Sequence, residues 1–380
     1  MRLVKCLVVL FLLILSNLAR SETIVIHGRV FIDKPTTYNN VTLDLSHGSF
    51  VITNGAVLHV ENSIIQGTLS SNNPFLIYGL AGRLEFINNR VHVAVDGVSP
   101  QPDIPAQYNA FRTRQAEVIF SGNTFFVGTP FAVGLFATDK LATSKIKIIN
   151  NSIQNFHGGI LLSHSQNAQI IHNQFYKVSS GNIFIVNNQH AIVNHNTILF
   201  PGNGHVGDGV DIVNSNDVVL ASNYIFSGSC YGVLILASSH ISIQHNNISS
   251  GITYGIHINT AMENLEYPYA YLKRAIENEN FVSIDNNHII IQNNYIAQNR
   301  YGLSASYVDD LIVTNNLFIQ SFSDRFQRKF WTNNNTLLKN ITHLTWLHNT
   351  YKEAFTQYVK GDNANALKYF DFPRNGGVNF

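Results

Sequence analysis

The chain has 380 residues, of which only 12% are charged, and its formal net charge at pH 7 is +1. Three of the 24 basic residues and none of the 23 acidic ones fall in residues 1–21, so the rest of the chain carries 21 basic and 23 acidic side chains. Phosphate binding needs a concentrated positive field, so this balance argues against nucleic acid as a partner.

The N-terminus has the pattern of an export signal. Arg2 and Lys5 precede the apolar run 6–15, and polar and small residues follow. This predicts a signal peptide over residues 1–21, with an uncleaved anchor as the alternative. The run is short for a bilayer span, so we expect a secreted or periplasmic protein without a stable membrane span after cleavage. Cys230 is then the only thiol left, and no internal disulfide is expected.

One short motif, an Asn followed two residues later by an apolar or aromatic residue, recurs along the chain. The shortest spacing is 22 residues, and longer spacings read as one repeat plus an insertion. The motif begins at Asn62, Asn89, Asn123, Asn151, Asn173, Asn196, Asn223, Asn246, Asn294, Asn316 and Asn349. We expect these Asn residues at sharp turns in left-handed backbone, with each amide bonded to the Asn of a neighbouring repeat.

Each repeat also carries two or three short segments with the alternation typical of β-strands. One of them begins near a Gly, as in Gly209-Val-Asp-Ile and Gly232-Val-Leu-Ile. Stacked repeats place apolar residues in inward columns, one of which contains Ile160, Ile183, Val210, Val233, Ile256 and Leu303. Each repeat can bury such a column only against its neighbours, so the pattern predicts a solenoid.

These repeats resemble the right-handed parallel β-helix family, which includes pectate lyases, polygalacturonases, alginate epimerases and a periplasmic copper-site maturation protein. The resemblance covers roughly residues 55–350 and implies an all-β fold. It implies a single-stranded right-handed parallel β-helix of about 11–12 coils over residues 22–350, including an N-terminal cap. Loop insertions are expected at 99–117, 261–287 and 323–340, and a C-terminal cap or tail at 351–380. Tyr351–Tyr358 is predicted as a short helix that covers the last coil.

Two outward columns become polar and aromatic together. One reads Gly158, Gly181, Asp208, Tyr231, Tyr254 and Tyr301, and the other reads Leu161, Phe184, Asp211, Leu234, His257 and Ser304. Neighbours in a column are ~4.8 Å apart in a parallel sheet, so the polar members are predicted to line one patch on adjacent coils. His205 and Arg300 lie near this patch in the sequence.

The patch suits an acidic polysaccharide, because Tyr rings stack on sugars and carboxylates, His and Tyr transfer protons. For a lyase or epimerase of uronates, His257 and Tyr254 are the candidate base and acid, and Arg300 or Arg112 would neutralise the uronate. Asp208 and Asp211 complete the candidate catalytic residues. The remaining candidate substrate contacts are Tyr231, Tyr301 and His205.

Other activities stay open. The run from Gly207 to Asp211 is similar to the first carboxylate motif of polygalacturonases, which implies hydrolysis, but the next repeat has Gly228-Ser229-Cys230-Tyr231 where that family has paired Asp residues. The Asp-Pro-His-Asp signature of alginate epimerases is absent from the sequence. The residues therefore leave open whether the protein is an enzyme of uronate-containing glycans or a non-catalytic binding protein, including a metal-site maturation factor.

Two further interpretations concern the patch itself. It could capture a metal through His205, Asp208, Asp211 and His257, although their spacing is not that of a tight metal site. It could also be a Tyr ladder that only stabilises the fold, with the two Asp residues serving as turn residues. No cofactor is assigned, calcium is a candidate, and we expect a monomer.

Overall fold

The computed structural model describes residues 22–96, 108–128, 133–138, 145–179, 181–199, 208–226, 231–249, 254–259, 286–297, 299, 301–319, 334–352 and 356–360. The predicted signal peptide, Cys230, His205, Arg300 and most of the insertion 261–287 lie outside these ranges. The described residues form 35 strands, all paired in parallel, and no helix. The predicted all-β solenoid is confirmed.

The strands form three parallel sheets, named A, B and C, which each coil visits in turn. Sheet A contains β5 (Ile64–Leu69), β8 (Arg90–Val95), β11 (Thr124–Val127), β14 (Ser152–Gln154), β17 (Gln174–Tyr176), β20 (Thr197–Leu199), β23 (Tyr224–Phe226), β26 (Asn247–Ser249), β29 (Tyr295–Ala297), β31 (Leu317–Ile319) and β34 (Thr350–Lys352). Sheet B contains β6 (Ile77–Gly79), β9 (Tyr108–Thr113), β12 (Val133–Thr138), β15 (Gly158–Ser163), β18 (Gly181–Val186), β21 (Asp208–Val213), β24 (Tyr231–Leu236), β27 (Tyr254–Asn259), β32 (Asn334–Ile341) and β35 (Thr356–Lys360).

Sheet C contains β2 (Thr36–Asn39), β4 (Val57–Glu61), β7 (Gly82–Ile87), β10 (Ala116–Ser121), β13 (Ile146–Ile149), β16 (Gln169–Ile171), β19 (Ile192–Asn194), β22 (Asn216–Ala221), β25 (Ser239–Gln244), β28 (Asn286–Gln292) and β33 (Leu344–Leu347). Three long strands pass from one sheet to the next. β1 (Thr23–Ile32) and β3 (Thr42–Ile52) run from sheet A into sheet B, and β30 (Tyr301–Thr314) runs from sheet B into sheet C.

Three boundary predictions need correction. The insertion predicted at 99–117 contains β9 and the start of β10, and the one predicted at 323–340 contains most of β32, so these parts belong to regular coils. Polar outward residues such as Arg112 had masked the alternation. The predicted helix Tyr351–Tyr358 is wrong, because β34 and β35 extend sheets A and B there.

The core is one continuous column of apolar side chains inside the three sheets. All six members of the inward column that begins at Ile160 are essentially inaccessible to solvent. Around coils β7 to β12 the core is instead a cluster of Phe rings, with centroids 5.0–5.7 Å apart and mostly edge-to-face. Such pairs add about 0.5–1.5 kcal/mol each beyond the area that they bury.

The repeated Asn residues form a buried hydrogen-bond ladder between sheets C and A. Asn196 is typical: its Oδ1 accepts the backbone N–H (2.9 Å) and the Nδ2–H (3.0 Å) of Asn173, and its own Nδ2 donates to the carbonyl of Ile170 (2.8 Å) and to Oδ1 of Asn223 (3.0 Å). The same pattern runs from Asn89 to Asn349. The side-chain amides of the ladder are therefore buried with their donors and acceptors hydrogen-bonded.

The left-handed backbone expected at these Asn residues lies one residue earlier. The preceding exposed residues have φ near +55°, among them Asn88, Asn150, His172, His195 and Asn315, whereas no ladder Asn in the described chain has a positive φ. Asn and His tolerate this conformation better than other side chains do, so the turn falls on them while the ladder amide points inward. Asn62 belongs to this turn set, and Ser63 takes the ladder position, with its N–H donated to Oδ1 of Asn89 (2.9 Å).

Candidate functional site

A column of Gly residues brings the candidate residues onto one face of sheet B. A Cβ on Gly209 would lie 2.3 Å from the carbonyl oxygen of Gly232, and one on Gly232 would lie 2.6 Å from that of Gly255. Only Gly permits this close approach of adjacent strands. On β27 the consecutive residues Gly255 and Ile256 are both buried, so Tyr254 and His257 on either side of them lie on the same outward face, where their rings are in contact.

The predicted register of the two outward columns is confirmed. Gly181 pairs with Asp208, and Tyr231, Tyr254 and Tyr301 pair in succession. In the other column the order is Phe184, Asp211, Leu234, His257 and Ser304. The candidate residues thus occupy four adjacent coils, on β21, β24, β27 and β30.

The aromatic residues of this face form a continuous stack. The rings of Tyr231 and Tyr254 are 5.5 Å apart, those of Tyr254 and Tyr301 are 5.0 Å apart, and both pairs are within 17° of parallel. The ring of His257 lies 5.1 Å from Tyr231 and 4.5 Å from Tyr254. Because the rings cover one another, the expected stacking of sugars on Tyr faces is not available inside the stack, and a ligand would meet ring edges instead.

Asp208 and Asp211 form a buried carboxyl pair beside the stack. Oδ1 of Asp208 accepts the backbone N–H of Tyr231 (3.0 Å). Neither oxygen of Asp211 receives a hydrogen bond from the residues that the structure describes. Burial raises the pKa of Asp211 well above its ordinary value, and charge repulsion from Asp208 raises that pKa further. Asp211 therefore favours its protonated, neutral form.

His257 is held in its neutral form. Burial lowers the pKa of His257 to about 4, and its Nδ1 has no hydrogen-bond partner within the described ranges. At neutral pH the imidazole is therefore uncharged and able to accept a proton. Its neighbours in the column are Leu234 and Ser304, both buried.

The outer face of sheet B is more apolar than the sequence analysis suggested. Five outward residues, Phe184, Val186, Val213, Leu234 and Leu236, form a second buried cluster, separate from the core. Asp211 sits between Phe184 and Leu234 in its column. The sequence runs Ile183-Phe-Ile-Val and Val233-Leu-Ile-Leu could have indicated this, because a strand with apolar residues on both faces is usually buried on both faces.

Arg112 does not join this cluster. It lies in the same outward column as Asp211 and His257, but six strand spacings from His257, or roughly 29 Å. Its guanidinium instead lies 5.6 Å from the ring centroid of Tyr78. His205 and Arg300 are outside the described residues. Asp208 and Asp211 are strand residues of β21, so the interpretation of them as turn residues is wrong.

Two features are absent from the residues that the structure describes. No group of three or more His, Cys, Asp or Glu side chains is placed to hold one metal ion. No helix long and apolar enough to cross a bilayer occurs in the same ranges.

Comparison with known proteins identifies the fold. A family model described as a right handed beta helix region matches residues 115–267. The periplasmic alginate epimerase AlgG is similar with a TM-score of 0.56 and 10% identity, over 87% of this chain and 85% of that one. The Dettilon tailspike protein (gp208) is similar with a TM-score of 0.50 and 14% identity over 82% of this chain, which spans only 56% of the tailspike chain. No curated protein matches.

At these identities the two structures show a shared fold and nothing finer. The family model supplies the handedness, and the three parallel sheets with their Asn ladder supply the architecture. The chain therefore has the fold of a right-handed parallel β-helix.

Proposed function

We propose that this β-helix is exported and that it binds and modifies an acidic polysaccharide on the outer face of sheet B, by removing and returning a proton next to a uronate carboxylate. The observation that carries the proposal is the contact between two proton-transfer groups, Tyr254 and His257, beside the carboxyl pair of Asp208 and Asp211. Titratable groups with strongly perturbed pKa values, gathered on one face, are typical of active sites.

The pKa of His257 favours a base that is switched on by substrate. With a pKa of about 4, the free imidazole is a weak base. A uronate carboxylate bound nearby would stabilise the imidazolium and raise this pKa toward neutrality, because an opposite charge within ~4–6 Å favours the charged form. Proton removal by His257 would then be coupled to the binding of an acidic sugar.

Tyr254 would act on the same sugar as the second proton carrier. A lyase or epimerase needs an acid that delivers a proton after the base has removed one. Tyr254 and His257 lie on the same strand with ring centroids 4.5 Å apart, so both can reach one sugar ring. Arg300 remains the predicted neutraliser of the uronate, and Tyr231 and Tyr301 remain predicted substrate contacts.

The carboxyl pair argues against hydrolysis of the polygalacturonase type. Inverting hydrolysis needs two carboxyl groups about 6.5–9.5 Å apart, and retaining hydrolysis needs about 5–5.5 Å. Asp208 and Asp211 are only 3% and 1% exposed, and Asp211 favours its protonated form, so the pair does not present two carboxyl groups across a glycosidic bond. We assign the pair a supporting role, in which its single negative charge stabilises positive charge that develops on neighbouring groups.

The fold supports this proposal only in general terms. One solved structure of the same fold is an alginate epimerase, so the architecture is compatible with uronate chemistry. The rival proposal is a non-catalytic glycan-binding protein, and the observation in its favour is the mutual stacking of the Tyr rings, which stabilises the sheet without any reaction.

Hydrogen exchange at C5 of a uronate tests the proposal without presuming the product. The chain without residues 1–21 is incubated with alginate or polygalacturonate in D₂O, with and without calcium, and deuterium at C5 and unsaturated products are followed by NMR. We expect exchange with one of these polymers. Tyr254→Phe and His257→Gln should each lower the rate by about 10²–10⁴-fold. The matched controls are Tyr176→Phe and His172→Gln on exposed positions away from sheet B, which should leave the rate unchanged.

The outcomes separate the proposals. Exchange that survives both His257→Gln and Tyr254→Phe would place the reaction elsewhere on the molecule. Binding of the polymer without exchange would favour the non-catalytic binder. Export is tested separately, by mass spectrometry of the secreted chain, for which we expect Glu22 as the first residue.

A further inference from the structure

A row of His and Asp residues follows the turn between sheets B and C, on a different edge of the solenoid from the Tyr254–His257 face. Successive coils place His190, Asp217, His240, His288, Asp310 and His343 at equivalent positions. Five of the six have left-handed backbone, and all are partly or fully exposed. The tolerance of His and Asp for left-handed backbone explains why these residue types occur at the turn. It does not explain the orientation of the imidazole rings.

Hydrogen bonds at Nδ1 orient the two central imidazoles. The amide of Asn216 donates its Nδ2–H to Oδ2 of Asp217 (2.8 Å), so its Oδ1 faces Nδ1 of His240 (2.9 Å). An amide oxygen can only accept, so Nδ1 of His240 carries the proton. In the same way Oδ2 of Asp310 accepts from Nδ1 of His288 (2.6 Å). When each ring binds a metal through its lone pair, that lone pair is therefore on Nε2, the nitrogen that these hydrogen bonds leave available.

His240 and His288 are adjacent on neighbouring coils. Their ring centroids are 5.4 Å apart, and the ring planes are tilted by 47°. For a tetrahedral ion with Zn–N bonds of ~2.0–2.1 Å, the centroids of two coordinating imidazoles lie roughly 5.2 Å apart. The observed separation therefore matches a pair of His ligands on one zinc ion.

We infer that His240 and His288 form a two-histidine site for a divalent transition metal such as Zn²⁺, in which Asp310 and Asn216 orient the two rings. A carboxylate or amide oxygen on the far ring nitrogen is the usual second partner of a metal-binding imidazole, because it sets the tautomer and increases the basicity of the ligand. Since the described residues offer no third ligand, water or an exogenous carboxylate would complete the coordination. The site is independent of the proposed polysaccharide chemistry.

A second His pair provides the comparison. His172 and His195 also stand at exposed left-handed turns on adjacent coils, with ring centroids 4.7 Å apart. Neither ring has an Nδ1 acceptor among the described residues. If proximity of the two rings were sufficient, both pairs would bind metal. Only His240 and His288 have hydrogen bonds that orient their rings, so we expect binding at that pair alone.

Isothermal titration of the chain with Zn²⁺ near neutral pH, with the ion located by anomalous diffraction, tests the inference. The wild type should bind a zinc ion between the two rings, and the double variant His240→Ala and His288→Ala should lose that site. Asp310→Ala should weaken it by about 10–100-fold, as loss of an orienting partner does. The control variant His172→Ala and His195→Ala should bind as the wild type does.

Three results would overturn the inference. One is equal zinc stoichiometry and affinity in the wild type and in the variant that lacks His240 and His288. Another is an Asp310→Ala variant with unchanged affinity, because the carboxylate would then not be what orients the ring of His288. The third is loss of the site in the His172 and His195 variant. All of these substitutions are on the surface, so unchanged thermal unfolding will show that each variant is folded.

Discussion

Replacing Asp211 by an apolar residue should raise the free energy of unfolding. Its carboxyl group is 1% exposed, receives no hydrogen bond from the described residues and lies between Phe184 and Leu234. Asp211→Leu would extend the second apolar cluster through this position. We expect the variant to be more stable than the wild type near neutral pH and, if the proposed function is right, less active.

The magnitude follows from two contributions. A buried polar group without a partner costs about 1–3 kcal/mol, and replacing buried charged groups by well-packed apolar ones is neutral to stabilising by about 1–4 kcal/mol. Leu is longer than Asp, so some strain offsets the gain. We therefore expect a net stabilisation of about 2 kcal/mol.

The pH dependence gives the sharper test. Because the folded-state pKa of Asp211 is raised, the folded chain holds its proton more tightly than the unfolded chain does. Its contribution to stability is therefore present below the unfolded value of 3.8 and is lost as the pH rises toward the folded value. The advantage of Asp211→Leu over the wild type should grow with pH across this window.

Urea unfolding of both proteins at several pH values measures this difference. The control is Asp309→Asn, because hydrogen bonds from Thr342 and His343 lower the pKa of Asp309, and removing that carboxylate should slightly destabilise the fold at neutral pH. An Asp211→Leu variant that is less stable than the wild type, or an advantage that does not change with pH, would refute the reasoning about Asp211.

Three further predictions concern the solenoid. Asn196→Ala should lower the free energy of unfolding by about 3–5 kcal/mol, because it orphans several buried ladder groups, whereas His195→Ala at the exposed turn should cost less than about 1 kcal/mol; urea unfolding of the two measures the contrast. The lowered pKa of His257 should make the wild type lose roughly 3 kcal/mol between pH 6.5 and 4, since only the unfolded chain gains that proton, and His257→Gln should flatten the profile of Tm against pH. Gly232→Ala would place a Cβ 2.5 and 2.6 Å from two atoms of the next coil and should cost at least about 1–3 kcal/mol, whereas Gly128→Ala meets nothing within 4 Å and should leave Tm unchanged.

The fold could be predicted because its signals are local and repeated. The spacing of ladder residues such as Asn173 and Asn196 set the coil length, and the alternation of apolar residues set the inward columns. The exact turn residue could not be predicted, since the motif does not distinguish the buried Asn from its left-handed neighbour. The end of the solenoid was also missed, because a short stretch such as Tyr351–Tyr358 has no partner column in the sequence that would reveal a strand.

The sequence predicted which residues of the candidate site are neighbours, but not how their side chains are buried and packed. Aligning the columns placed Tyr231, Tyr254 and His257 side by side, because equivalent positions of successive repeats are neighbours in a parallel sheet. The burial of Asp211 and the mutual stacking of the rings depend on how side chains pack above the sheet, and alignment carries no information about that packing. Arg112 shows the converse: it shares a column with His257 yet lies several coils away.

The unbroken Asn ladder has a consequence for how the protein can be altered. Ladder neighbours are as close as 22 residues in sequence at Asn151 and Asn173 and as far as 48 at Asn246 and Asn294. The hydrogen bonds from backbone N–H to Oδ1 between them are nevertheless 3.0 and 2.9 Å long. The corner between sheets C and A therefore acts as a fixed joint, while the other corners accept extra chain without disturbing it. A whole coil, cut from one ladder Asn to the next, is accordingly the natural unit for deletion, duplication or exchange.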